Sequence, residues 1–224
     1  MKFALGIMKK VTISKEEVAI LEKVSYKGAI HIIDSTAQAR AAVAHLRKFK
    51  IVGFDTETRP SFKKGVLRNM ALMQISTLED CFLFRLNMIG IPDSLREFLE
   101  DAEISKVGLS LKDDFNVLHR SFDALSPNGF IELQNLVEEY EIVDKSLQKI
   151  YAVLFNKKIS KGQRLSNWEA SELSYAQQEY AAIDALTCLE IYNHLKSGEF
   201  KPTESQYYKE IIEQTDIIAN NDTI

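Results

Sequence analysis

Residues 51–57 read IVGFDTE. Apolar residues at 51, 52 and 54 give way to two acids, Asp55 and Glu57, and side chains two apart on a strand share a face. The stretch therefore predicts a strand that ends with two carboxylates converging at the edge of a core, where unpaired charge is costly to bury. A cation would relieve that cost. A strand end running into a polar turn with solvated acids is the plain alternative, and the spacing alone leaves both open.

Outward from this strand, two further β-type runs follow, MALMQIST at 70–77 and CFLFRL at 81–86, with Leu78, Glu79 and Asp80 as a hairpin turn between them. Upstream, a short strand at Ala29–Ile33 precedes an amphipathic helix, TAQARAAVAHLRKF, capped by Ser35. Further back, SKEEVAILEKV at 14–24 predicts a helix in which Ser14 and Glu17 have the capping-box spacing. Downstream, helix and strand alternate: PDSLREFLED from Pro92, ISKVGLS from Ile104, a helix near Asp113–Phe122 and a strand near Phe130–Leu133. The order implies an α/β fold with a mixed sheet, antiparallel first and parallel later. From about Leu136 the pattern is helical, broken by NKKISKGQR at 156–164. After Ser197 the chain is polar and acidic, read as a docked helix or a partly loose tail.

The 224 residues are 46% hydrophobic, enough for one sizeable core. We expect a helical extension over residues 1–26, a catalytic domain over 27–196 and a polar tail over 197–224. With 32 acidic and 28 basic side chains the net charge is -4, so any nucleic acid must be held by a local basic patch or by metal ions. Cys81 and Cys188 sit inside apolar patterns and read as buried thiols of a reducing compartment, which predicts a soluble cytoplasmic protein. The apolar run Phe3–Met8 is too short for a signal-peptide core, and no stretch approaches the ~18 apolar residues of a membrane span.

Two more places carry acids in telling positions. Lys112-Asp113-Asp114-Phe115 follows the strand ISKVGLS, and an acid in a helix's first turn is favoured by the dipole; an ordinary N-cap is the bland reading. In QEYAAIDALTCLEIY, Tyr180 and Asp184 stand four apart, so on a helix they lie on one face. Taken singly, each of these features is common on ordinary helices.

Together, the three places resemble the three exonuclease motifs of the DnaQ-like superfamily with its DEDD carboxylate quartet. Those motifs are Asp-x-Glu on the first core strand, an Asp opening a helix after the fourth strand, and Tyr-x-x-x-Asp on a late helix. Asp55 and Glu57 match the first, Asp114 the second, and Tyr180 with Asp184 the third. ALMQIST at 71–77 resembles the family's second strand, and LSNWEA at 165–170 with YAQQEYAAIDA at 175–185 is similar to the third-motif region of RNase D and Werner-type exonucleases. The likeness covers roughly residues 27–196. In the second motif the register favours Asp114 over Asp113. Where the histidine subfamily places its base, five residues before the last Asp, this chain has Glu179, so the tyrosine subfamily is indicated.

The resemblance implies an RNase H-like sheet of five strands, three antiparallel then two parallel, with helices on both faces. It also implies 3′-to-5′ hydrolysis of phosphodiester bonds in a DNA or RNA strand with the help of two divalent cations, Mg²⁺ or Mn²⁺. In that scheme Asp55 bridges both ions, Glu57 and Asp184 complete one site, and Asp114 holds the second ion partly through water. Tyr180, with an ordinary pKa near 10, would orient the attacking water. Lys63, Lys64 and Arg68 after the first motif, and Lys157, Lys158, Lys161 and Arg164 before the third, are candidates for phosphate contacts. Trp168 could stack on a base, although packing against the last helix suits it better. None of His31, His45, His119 and His194 has a ligand spacing with another.

Two other readings compete with this one. An RNase D-like ribonuclease trimming RNA fits the motifs, although the helical RNA-binding domains common in that group are not seen in the stretch after the third motif. A catalytically inactive binding module of the same fold would be marked by a lost ligand, and all four acids are present. Neither GxGxxG after a strand nor GxxxxGK[ST] occurs, which removes the common nucleotide-binding loops.

Overall fold

Along IVGFDTE, Val52 and Phe54 are directed to one side of the strand and Gly53, Asp55 and Glu57 to the other, and this division organises the domain. The computed structural model describes residues 3–61, 65, 67–122 and 125–216, with the backbone alone at 3–7 and 212–216. In chain order the elements are β1 (Phe3–Val11), α1 (Lys15–Ala19), β2 (Glu22–Lys23), β3 (Ala29–Ile33), α2 (Thr36–Leu46) and β4 (Ile51–Thr58). There follow β5 (Met70–Ser76), β6 (Asp80–Phe84), α3 (Leu86–Ile89), α4 (Asp93–Glu100), β7 (Ser105–Gly108), α5 (Leu111–Ser121) and β8 (Phe130–Glu132). Last come α6 (Leu133–Glu138), α7 (Leu147–Phe155), β9 (Lys157–Lys158), α8 (Tyr175–Lys196), a 3-10 turn at Pro202–Glu204 and β10 (Tyr208–Asp216).

The central sheet runs β3-β6-β5-β4-β7-β8. β4, β5 and β6 are antiparallel neighbours, and β7 and β8 follow β4 in parallel. This is the expected arrangement of five strands with one addition, for the sheet has six. The sixth is β3, parallel to β6 and in register from Ala29 opposite Asp80 to Ile33 opposite Phe84. It satisfies backbone groups that β6 would otherwise present at an open edge, and the Ala29 amide bonds the Glu79 carbonyl at 2.8 Å.

Helices cover both faces. On one, Val52, Phe54, Met73, Ile75, Phe82 and Phe84 pack with Ala42 and Leu46 of α2, Phe98 of α4 and Leu118 of α5. On the other, Leu72, Leu83 and Val107 lie under α8, in one cluster with Ile150 and Tyr151 of α7 and with Trp168. Cys81 and Cys188 are buried free thiols in that second cluster. Among the described residues no helix is long and apolar enough to cross a membrane.

The ends of the chain differ most from expectation. Ser14 and Glu17 do form a capping box, but the helix stops at Ala19 and the chain turns into β2, which pairs with β9. Residues 3–11 form a strand in place of part of a helical extension, and residues 208–216 form its antiparallel partner in place of a helix or loose tail, in register from Phe3 opposite Asp216 to Val11 opposite Tyr208. Val11, Ile13, Val18, Tyr26 and Tyr207 are buried in the same cluster as Trp168 and α8. Asp144 fixes this corner by accepting from the Thr12 hydroxyl and the Ile13 amide, both at 3.0 Å, while Lys149 pairs with it at 2.7 Å.

Candidate active site

Helix α8 starts with a capping box, Ser174 with Gln177, and crosses the sheet over β4. A Cβ built on Gly53 would lie 1.9 Å from the Ala185 carbonyl oxygen. Glycine at 53 is what lets the helix come this close, and it sets Asp184, one residue before Ala185, over Asp55. Oxygens of Asp55, Glu57 and Asp184 all lie within 4.8 Å of one another; Asp184 is buried and the other two are half-buried.

Asp114 arrives from α5. Ser110 takes a left-handed backbone conformation, φ 63°, just before the helix, and the Glu132 carboxylate accepts the Ser110 and Leu111 amides at 3.0 and 2.8 Å. That clamp satisfies donors which a helix start leaves open. Asp114 is half-buried and Asp113 exposed, so Asp114 is the inward acid, as the register suggests. The Thr56 hydroxyl donates to Asp114 Oδ1, tying α5 to the strand residue between Asp55 and Glu57. Asp114 is not part of the tight group of three, but its charge is felt at both Asp55 and Glu57.

Crowding and burial make these acids hold their protons. Burial, then the charges of Asp184, Asp114 and Glu57, keeps Asp55 well above the usual carboxylate range. Burial and the charges of Asp184 and Asp114 push Glu57 to about 9, with Arg164 opposing. Burial raises Asp114 to about 7 against the Thr56 hydrogen bond, and raises Asp184 to about 7 against the Tyr180 hydroxyl and Lys161. Tyr180 hydrogen-bonds Asp184, and burial with that carboxylate lifts the phenol above its ordinary value. Asp184 Oδ1 is buried without a hydrogen-bond partner. A naked buried carboxylate oxygen beside two more acids fits a hard divalent cation.

The basic residues divide by position. Lys161 and Arg164 act electrostatically on Asp184 and Glu57 respectively, whereas Lys158 donates to the Ala19 carbonyl and Lys157 acts on Glu190. Arg68 is half-buried, with its carbonyl accepting from Arg120 at 2.6 Å. Lys63 and Lys64 lie outside the described residues. Trp168 is fully buried with its ring 6.0 Å from that of Tyr180, so it packs onto α8 and cannot stack on a base from this position. His31 pairs with Asp80 at 2.6 Å and His194 approaches Glu199 at 3.8 Å; the acid group contains no histidine.

Three supporting residues escaped the sequence reading. Gly53 and Thr56 lay within the quoted strand, but nothing local shows that a helix 130 residues later needs the glycine's space. The third is Arg85, buried and donating to the Ala170 and Ser171 carbonyls, which pins the segment leading into α8 to the end of β6. An arginine at the end of the apolar run CFLFRL was its only signal.

A family model described as 3′-5′ exonuclease matches residues 30–198. The chain belongs to the 3′-5′ exonuclease family. Exonuclease 3′-5′ domain-containing protein 2 of Drosophila melanogaster is 36% identical over 155 residues, 67% of this chain and 26% of that protein. The mouse bifunctional 3′-5′ exonuclease/ATP-dependent helicase WRN is 32% identical over 65% of this chain and 11% of its own length. The chain thus spans about a quarter and a tenth of these relatives. Escherichia coli RNase D, an exoribonuclease involved in structured RNA processing, superposes with a TM-score of 0.68 at 22% identity, covering 75% of this chain and 44% of that one, and so shares the fold. The 3′-5′ exonucleases are hydrolytic nucleases, and the motifs of this member are of the DEDD type.

Proposed function

We propose that the chain is a metal-dependent 3′-to-5′ exonuclease, removing nucleotides one at a time from the 3′ end of a DNA or RNA strand. The observation that carries this reading is the convergence of Asp55, Glu57 and Asp184 within 4.8 Å in a chain of this family. Asp55, Glu57 and Asp184 would hold one Mg²⁺ or Mn²⁺, and Asp114, whose charge reaches Asp55 and Glu57, would help to hold a second. Two such ions, when bound, supply an acidified water and stabilise the departing 3′ oxygen. Tyr180 would orient the attacking water through its hydroxyl, since a phenol raised above its ordinary pKa is no base at neutral pH. Lys161 and Arg164, whose charges reach the acids, attract the strand's phosphates into a cleft that is otherwise negative.

The reading is tested with 5′-labelled DNA and RNA strands, single-stranded and recessed, incubated with Mg²⁺ or Mn²⁺ and resolved as product ladders. Stepwise shortening of the labelled strand, abolished by excess chelator, is expected. Full activity in chelator, or cleavage beginning inside the strand, would overturn the assignment, and the DNA and RNA arms identify the sugar preferred.

A further inference from the structure

β5 carries one polar side chain in a setting with no evident use for it. Gln74 is fully buried, and neither its amide nitrogen nor its amide oxygen has a hydrogen-bond partner. It lies directly opposite Asp55 in the antiparallel pair of β4 and β5, and opposite Leu83 on β6. Opposed residues of such a pair share a face, with Cβ atoms roughly 5 Å apart, so Gln74 lies beneath α8 on the same face as Asp55. The other polar side chain of β5 on that face, Ser76, is already bonded to the Thr77 carbonyl at 2.7 Å. The remaining neighbour across β4, Leu72 opposite Glu57, is apolar.

A buried amide that makes no hydrogen bond is destabilising, whereas a methionine or leucine of similar volume there would carry no such cost. The compensation must come in a state where an acceptor is turned toward it, and Asp55 is the acceptor directly across the strand pair. The oxygens of Asp55 lie within 4.8 Å of those of Glu57 and Asp184, and a cation held by these acids would fix the Asp55 carboxylate while leaving lone pairs on it free to accept. We infer that Gln74 is a positioning residue for Asp55, donating from Nε2 to the carboxylate so that its oxygens are presented to the metal. Groups that hold a ligand in this way contribute roughly 10 to 100-fold to metal affinity or activity.

This inference rests on the proposed metal site, and the experiment separates the two. Mn²⁺ binding to wild type, Gln74→Met and Asp55→Asn is measured by calorimetry, with melting curves in chelator and the Mn²⁺ dependence of strand shortening. For Gln74→Met we expect metal-free stability equal to or above wild type, Mn²⁺ affinity weaker by about 10 to 100-fold, and a half-maximal Mn²⁺ concentration raised by the same factor, with the rate recovering at high Mn²⁺. Mn²⁺ affinity unchanged in Gln74→Met but lost in Asp55→Asn would overturn the role of Gln74 and leave the site intact. A Gln74→Met protein that is destabilised without metal and binds Mn²⁺ normally would make the amide a packing element only. Undiminished binding in Asp55→Asn would sink the underlying metal site itself.

Discussion

At the scale of single residues, the three close acids and Tyr180 divide into groups that must be charged and one that need only be present. Removing even an outer partner of a metal ligand costs ~10 to 100-fold, so Asp55→Ala and Asp184→Ala should lose at least that in turnover. Tyr180→Phe should leave measurable activity, because in the proposed mechanism the phenol only orients the water. Single-turnover rates on a labelled strand check this ranking; a silent Tyr180→Phe beside an inactive Glu179→Gln would shift the base to Glu179. The raised carboxylates also set a pH dependence. Below about pH 3 the acids are protonated in folded and unfolded chains alike. As pH rises the unfolded chain ionises first, while Asp114 and Asp184 hold protons to about 7 and Glu57 to about 9. The metal-free protein should therefore lose stability steadily from about pH 4 to about pH 9. Melting curves in chelator across that range should show the fall, and saturating Mg²⁺ should remove it if, as proposed, the ions bind the folded, ionised site. A flat profile in chelator would mean that the cluster is solvated.

At the scale of elements, the site depends on how closely α8 approaches β4. Gly53→Ala would drive a methyl into the Ala185 carbonyl. Overpacking of this kind costs ~1 to 3 kcal/mol, and here the obstacle is backbone, so the loss should reach the upper part of that range. Urea denaturation should show it, and activity should fall with it because Asp184 moves away from Asp55. What could be read in advance follows the same logic. β4, β5, β6, α4 and β8 were legible because their patterns are local, as were the caps of Ser14 and Ser35, which the structure bears out with Glu17 and Gln38 as their partners. The nearness of Asp55, Glu57 and Asp184 was legible because a motif states its own spacing. Gly53, Thr56 and Gln74 were not, since each acts through a neighbour on another element. β3 was recognised as a strand but its place in the sheet was not, because parallel pairing with β6 joins residues some fifty apart. The interruption before α8 proved longer than NKKISKGQR, since the chain from Asn156 to Ser174 is held by Arg85, Trp168 and the β2–β9 pair in place of helix.

At the scale of the whole molecule, residues outside 27–196 belong to the core. Val11, Ile13, Val18 and Tyr26 from one end and Tyr207 from the other pack with Trp168 beneath α8, and Asp144 binds Thr12 and Ile13. A fragment covering 11–208 should melt near the full chain, whereas one covering 27–196 should melt well below it or fail to fold. Equal melting temperatures for the two would make the terminal packing dispensable. The pairing of β1 with β10 has one more consequence. Phe3 sits opposite Asp216, about one strand spacing away, ~4.8 Å, so the backbone leaves the fold where it entered. Topologically the chain is almost a ring. A short glycine linker from 216 to 3 could close it, with new ends opened in the exposed stretch at Lys161 and Gly162, and the same property would let the whole unit be threaded into a surface loop of another protein without prying its sheet apart.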